Sequence, residues 1–373
     1  MRKPLVIPFM VTVVLLTAAR ARGADFREGW DAHENGYYSV AFKEWKSLAE
    51  AGDAKAQFLL AAMYYDGEGV PRDHEQAAYW YRRAAKQELA LARHALGALY
   101  EKGEGVPQNY EEALKWYRRA AEQQYVLAQH ALGVLYYEGK GLPQDYRQAA
   151  RWYRLSAEQG YAPAQNNLGL MYYDGQGIAR DYNEARKWLL LASAQGIAQA
   201  QFSLGWMYAH GEGVPRDHEQ AAYWYRRASE QELAVAETSL GMMYLKGEGV
   251  PRDHEQAAYW YRRAAEHGES IAQSNLALMY IKGQGVPRDH KQAAGWYLLA
   301  AEGGVADAMD KLGVMYQYGR GVIKDYVTAY VWYSRGASAG YEPARRHRDL
   351  LGKKMTPAQL ASANQQLQSL PSP

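Results

Sequence analysis

The apolar positions of this chain fall into two helical faces that return at a fixed interval. Ala56, Leu60, Met63 and Tyr64 stand at i, i+4, i+7 and i+8, which is one face of a helix. Ala77, Trp80, Tyr81 and Ala84 form a second such face. Between them lies Gly67-Glu68-Gly69-Val70-Pro71-Arg72-Asp73, a turn. Its first glycine recurs at Gly103, Gly139, Gly175, Gly211, Gly247, Gly283 and Gly319, each 36 residues after the last. The pattern predicts a helix of about 12 residues before each turn and one of about 14 after it. A fixed period of this length marks a solenoid, and residues 54–341 divide into eight units.

Whole columns of residues repeat. The leucines are Leu60, Leu96, Leu132, Leu168, Leu204, Leu240, Leu276 and Leu312; the tryptophans are Trp80, Trp116, Trp152, Trp188, Trp224, Trp260, Trp296 and Trp332. The tryptophans are expected to fill space between helices, and alanines such as Ala56, Ala92, Ala77 and Ala113 to let helices approach. In the turn, glycine ends the first helix sharply and Asp73 caps the second, with Gln76 completing a capping box. Ala179 and Ile323 replace the turn proline, which predicts looser turns there. Glu88, Gln124 and Glu232 stand where Gly52, Gly160, Gly196 and Gly268 end the second helix, which predicts a different closure at those three junctions.

The pattern A-x-x-x-L-G-x-M-Y-x-x-G-x-G-V-P-x-D-x-x-x-A-x-x-W-Y-x-x-A-A-x-x-G resembles the Sel-one-like repeat family, over residues 37–355. The resemblance implies an all-α fold, a right-handed α/α superhelix of 36-residue helix-turn-helix units related to tetratricopeptide repeats. It implies an adaptor that joins proteins, often exported in bacteria, with the first helices lining a concave wall.

The ends differ from the repeats. Arg2 and Lys3, the apolar run Leu5–Ala19 and the small residues Ala19 and Ala21 read as a signal peptide over 1–21. The run is short of the roughly 20 residues of a membrane span, and Pro8 interrupts it. Residues 25–53 read as a degenerate N-terminal capping hairpin, with Asn35-Gly36 in place of the glycine loop. Residues 342–373 read as C-terminal capping helices, marked by Thr356-Pro357-Ala358-Gln359, and a frayed polar tail from Gln365. The expected location is periplasmic or secreted.

The chain has no cysteine, so disulfides and thiolate metal sites are excluded. Net charge is +2, and −1 once Arg2, Lys3 and Arg20 leave with the signal, which gives no footprint for nucleic acid. Asp73-His74-Glu75 recurs at Asp217-His218-Glu219 and Asp253-His254-Glu255, always at a helix start, and so reads as a cap with solvated neighbours. His94 and His130 are expected on adjacent first helices, without further metal ligands nearby. No serine has a lysine three residues on, and there is no G-K-S/T loop, G-x-S-x-G elbow or H-E-x-x-H. We expect no enzyme activity, no catalytic residues, no metal and no cofactor.

Recognition is expected on the first-helix face that varies between units. Its residues include Phe58, Tyr65, His94, His130, Tyr137, Asn166, Leu170, Tyr173, Phe202, Trp206, Met242, Leu245, Leu278 and Ile281. A variable face on a fixed frame is how repeat proteins separate binding from folding. The face is apolar enough to mark a partner site, although the same side chains would also complete packing within a tight superhelix. The function expected is a scaffold for a partner protein or peptide. The alternative is an envelope enzyme or regulator that binds peptidoglycan or another glycan.

Overall fold

A computed structural model describes residues 24–369. The signal segment 1–21 lies outside them. Among the described residues there are 20 helices and no strand. The chain divides into two compact units, up to Ala192 and from Ser193 on.

The first unit opens with α1 (Ala24–Glu34) and α2 (Tyr38–Glu50), a hairpin closed at Gly36. Three complete repeats follow: α3 (Ala54–Asp66) with α4 (His74–Lys86), α5 (Ala90–Lys102) with α6 (Tyr110–Ala121), and α7 (Val126–Glu138) with α8 (Tyr146–Glu158). Then come α9 (Ala162–Asp174) and most of α10 (Tyr182–Ala194). The second unit holds α11 (Ala198–His210), α12 (His218–Ser229), α13 (Ala234–Lys246), α14 (His254–Glu266), α15 (Ser270–Lys282), α16 (His290–Glu302), α17 (Ala306–Tyr318) and α18 (Tyr326–Ser338). It ends in α19 (Glu342–Gly352) and α20 (Pro357–Ser369), so the glutamine-rich end is helical through Ser369.

Each turn is built by the same three bonds. The Gly67 N–H and the Glu68 N–H both donate to the Met63 carbonyl, and the Asp73 N–H donates to the Tyr64 carbonyl. Gly67 is left-handed at φ 77°, which a side chain resists. Asp73 then accepts from the Gln76 N–H at 2.9 Å. The reciprocal half of the expected capping box is not made in the repeats, because the cap's own N–H already closes the turn on the first-helix tyrosine. It is made at the C-terminal end, where Thr356 N–H donates to Gln359 Oε1 and Gln359 N–H donates to Thr356 Oγ1.

Two expectations are corrected here. The turns at Ala179 and Ile323 are no looser: Asp181 N–H reaches Tyr172 O at 3.0 Å and Asp325 N–H reaches Tyr316 O at 2.9 Å, as in the proline turns. The hydrogen bonds hold the turn, and proline only pre-sets its exit. The junctions at Glu88, Gln124 and Glu232 do not close differently either. These residues take the left-handed conformation that glycine takes elsewhere, at φ 67°, 60° and 60°. A Cβ at Gly160, Gly196 or Gly268 would meet nothing, so only dihedral strain opposes a side chain at this position.

The leucine and alanine columns form the core, with exposure of at most 1 % along the leucines. The deepest aromatic is not the tryptophan but the residue after it: Tyr81, Tyr117, Tyr153, Tyr225, Tyr261, Tyr297 and Tyr333 are all buried. In five of the repeats the ring lies over the glycine of the L-G pair, and in the first and seventh repeats Ala61 and Ala277 take that place. A Cβ added at Gly97, Gly133, Gly205, Gly241 or Gly313 would run into the facing tyrosine. The tryptophans sit further out and bridge hairpins. Trp152, for example, packs on the cluster around Tyr117 and Leu132.

Neighbouring repeats are also tied by polar ladders. Arg82, Arg118, Arg154, Arg226 and Arg262 each donate to the hydroxyl of the next first-helix tyrosine, Tyr100, Tyr136, Tyr172, Tyr244 and Tyr280. Buried glutamines do the same beneath. Gln57 donates to the Ala49 carbonyl and accepts from Gln87. In the sixth repeat the glutamine is replaced by Glu237, fully buried, with Arg263 and His267 each 3.0 Å away.

Candidate functional site

The variable first-helix face resolves into three rows with different environments. The first row is turned into the packing. Phe58 and Asn166 are buried. Phe58 packs on Tyr81 with centroids 5.4 Å apart, and Phe202 on Tyr225 at 5.5 Å. His94 is held between Tyr117 and Tyr125, and His130 between Tyr153 and Tyr161. Burial depresses both imidazoles to about 4, the charge of His130 adding to the effect at His94. Both are neutral at pH 7. Among the described residues no three His, Asp or Glu side chains are grouped to hold a metal ion.

The third row is engaged between repeats. The Tyr65 hydroxyl donates to Glu104 in the next turn at 2.7 Å, and its pKa is pushed up to about 12 by burial and that carboxylate. The Tyr137 hydroxyl donates to Gln176 at 3.0 Å. Tyr137 and Tyr173 stack edge-on against Tyr146 and Tyr182. Leu245 and Ile281 are half-buried against the cores of their own hairpins.

The second row is the open one, and it differs between the two units. In the second unit Trp206 is 41 % exposed, Met242 39 % and Leu278 36 %. They occupy the same position on α11, α13 and α15. In the first unit that position carries Ala62, Ala98, Val134 and the half-buried Leu170. Trp206 is braced from one side by Phe202 and stacks on the His210 ring at 3.9 Å. His210 is itself fixed, its Nδ1 lying 2.9 Å from the Trp206 carbonyl. The indole is thus exposed yet held, which suits an anchor that loses little freedom on binding.

Two flanking rows escaped the sequence reading. On one side of the stripe stand Ser203, Ser239 and Asn275; on the other, one turn on, stand His210, Lys246 and Lys282. Both rows are columns of the repeat and were readable as such. Their meaning depends on knowing which column between them is exposed.

Within each unit, hairpins stacked at a 36-residue period define a class: the helical-repeat proteins. The chain belongs to the Sel1 repeat family, whose model matches at 54–89, 90–125, 126–161, 162–197, 198–233, 234–269, 270–305 and 306–341. Proteins of this family act as protein-interaction scaffolds. The chain is similar to a Sel1 repeat protein from Oxalobacter formigenes, with 36 % identity, TM-score 0.69, and coverage of 83 % of this chain and 90 % of that one. It is also similar to a protective antigen of uropathogenic Escherichia coli with an SLR fold, with 32 % identity, TM-score 0.58, and coverage of 92 % and 83 %. No curated protein matches it. No helix among the described residues is long and apolar enough to cross a membrane.

Proposed function

We propose that the protein is an exported, non-enzymatic scaffold that holds a partner protein or peptide on the first-helix face of its second unit. The observation that carries this reading is the open stripe Trp206, Met242 and Leu278, three apolar side chains in register on successive first helices. Large exposed apolar residues in register are a common feature of interaction sites, and tryptophan is the side chain most enriched at their energetic centres. Export to the periplasm or beyond is supported by the basic start and apolar run of residues 1–21.

The test is a partner capture with the Phe202→Ala, Trp206→Ala double variant, checked for native helicity. The variant is expected to lose partners that the wild type retains. A folded variant that captures every wild-type partner contradicts the reading.

A further inference from the structure

Charge is unevenly divided along the chain. Residues 24–317 carry 31 Lys and Arg against 38 Asp and Glu, a net of −7. Residues 318–373 carry 8 against 3, a net of +5, and none from Leu350 on is acidic. Such an asymmetry marks contact with a polyanion or a membrane surface, and the small net charge of the whole conceals it. Within the basic part, Arg345 and Arg346 share the single carboxylate of Glu342, at 3.4 and 3.6 Å, and Arg348 pairs with Asp349. Arg320, Lys324, Lys353 and Lys354 have no ion pair among the described residues.

Large apolar side chains stand out at the same place. Among the described residues, three of the four most exposed are Ile323 at 90 %, Tyr318 at 60 % and Leu350 at 58 %. The repeat does not require the first two. The position of Ile323 is proline in six of the other turns and alanine in one, and that of Tyr318 is charged or histidine in the seven other repeats. α17 and α19 lie side by side. Tyr341, the N-cap of α19, reaches Asp307 at 2.8 Å, and His347 meets Asp310 at 2.6 Å. These ties join residues 34 and 37 apart, close to the repeat period, so the two helices run parallel and end on the same side. That side gathers Tyr318 and the turn 319–325 from one, and Lys353 and Lys354 from the other. Leu350 stands one helical turn before Lys354. Arg320 lies over the Tyr318 ring at 5.3 Å, and Lys324 over the Tyr326 ring at 4.9 Å.

We propose that this C-terminal patch docks the protein on the surface of an anionic lipid bilayer. Arg320, Lys324, Arg346, Lys353 and Lys354 meet the headgroup phosphates. Ile323 and Leu350 enter the boundary of the acyl chains, and Tyr318 stays among the headgroups, which suit its apolar ring and polar tip. A nucleic acid would meet the cations but leave Ile323 and Leu350 against water. A protein partner would bury its apolar contacts as one packed core inside a polar rim. Here the apolar side chains alternate with cations instead. A basic cluster of this size is drawn to anionic lipid and released by salt. The patch is separate from the partner stripe: Leu350 shares the column of Trp206, but the half-buried Val314 lies between it and Leu278.

The chain has no cysteine, so a single introduced one can carry a local reporter. The full chain with Leu350→Cys, labelled with the polarity-sensitive dye NBD, is mixed with vesicles of phosphatidylcholine alone or of equal parts phosphatidylcholine and phosphatidylglycerol. The emission is expected to brighten and shift to the blue with the anionic vesicles, to change little with the neutral ones, and to return as salt rises. The same dye at Tyr259→Cys should not respond, which separates the patch from any contact made by the apolar run 5–19. Lys353→Glu together with Lys354→Glu is expected to weaken vesicle binding about tenfold or more. Ile323→Pro, which restores the residue of six other turns, should weaken it at least about fivefold. These positions are exposed, so the variants should keep wild-type circular dichroism. No response of the Leu350 label to anionic vesicles, or an equal response to neutral ones, overturns the proposal. Binding that survives charge reversal at Lys353 and Lys354 overturns it too. A response to duplex DNA or polyglutamate without one to vesicles would leave a polyanion site and overturn the lipid assignment.

Discussion

At the residue scale, three side chains carry strain that their neighbours avoid. Glu88, Gln124 and Glu232 are left-handed, a conformation costing a residue with a Cβ about 1–2 kcal/mol. Glycine would remove that cost but add about 0.5–1 kcal/mol of unfolded-state entropy. Glu88→Gly is therefore expected to raise stability modestly, by up to about 1 kcal/mol, in urea denaturation. Gly268→Ala, at φ 84°, should lower it. The depressed pKa values of His94 and His130 give a second prediction. Between about 6.5 and 4 the unfolded chain binds protons at these sites and the folded chain does not. Stability should then be full above pH 6.5 and fall as pH drops through that window, on the order of 3 kcal/mol per histidine. In the His94→Gln, His130→Asn variant, a melting profile across pH 4–7 should be flatter than that of the wild type.

At the element scale, the hairpin depends on a glycine facing a tyrosine. Gly241 lies under Tyr261, and a Cβ there would lie 2.7 Å from the ring. Ala61 and Ala277 occupy the same position in the first and seventh repeats, so one methyl can be accommodated by a small shift. A branched side chain cannot. Gly241→Val is expected to cost about 1–3 kcal/mol by overpacking, and Gly241→Ala clearly less, by urea denaturation. The 36-residue period, helix order, leucine core, aspartate caps and turn positions were legible because each is a column in the sequence. The second turn glycine was legible as a column but not in its main reason: at Gly285 a side chain would strike the backbone of His254 in the preceding repeat. The arginine–tyrosine ladder was hidden in the same way, since it joins residues 18 apart whose facing surfaces only the stacking of hairpins defines. The candidate face was half legible. Its variability showed in the sequence, but burial of Phe58 and Asn166, and the engagement of Tyr65 and Tyr137, could not be read without the neighbouring repeat in place.

At the scale of the whole molecule, stability in a linear array is a sum of repeats and their interfaces, and the ends need caps. At the C-terminal end Asp310 is buried on α17 and meets His347 of α19 at 2.6 Å. His347→Ala leaves that carboxyl without its partner, a loss of about 1–3 kcal/mol. Because coupling passes only between neighbours, hydrogen exchange should quicken in α19, α20 and α18 and stay unchanged in α3 to α8. The proposed function also belongs to this scale, since the stripe exists only where three successive first helices align their apolar residues. Its most direct test places a photo-crosslinking amino acid at Met242 or Leu278 on the stripe, and at Tyr79 or Tyr259 on the exposed surface of the second helices. The account predicts that a captured partner crosslinks from Met242 and Leu278 and not from Tyr79 or Tyr259. Crosslinking from the second-helix positions alone would contradict it.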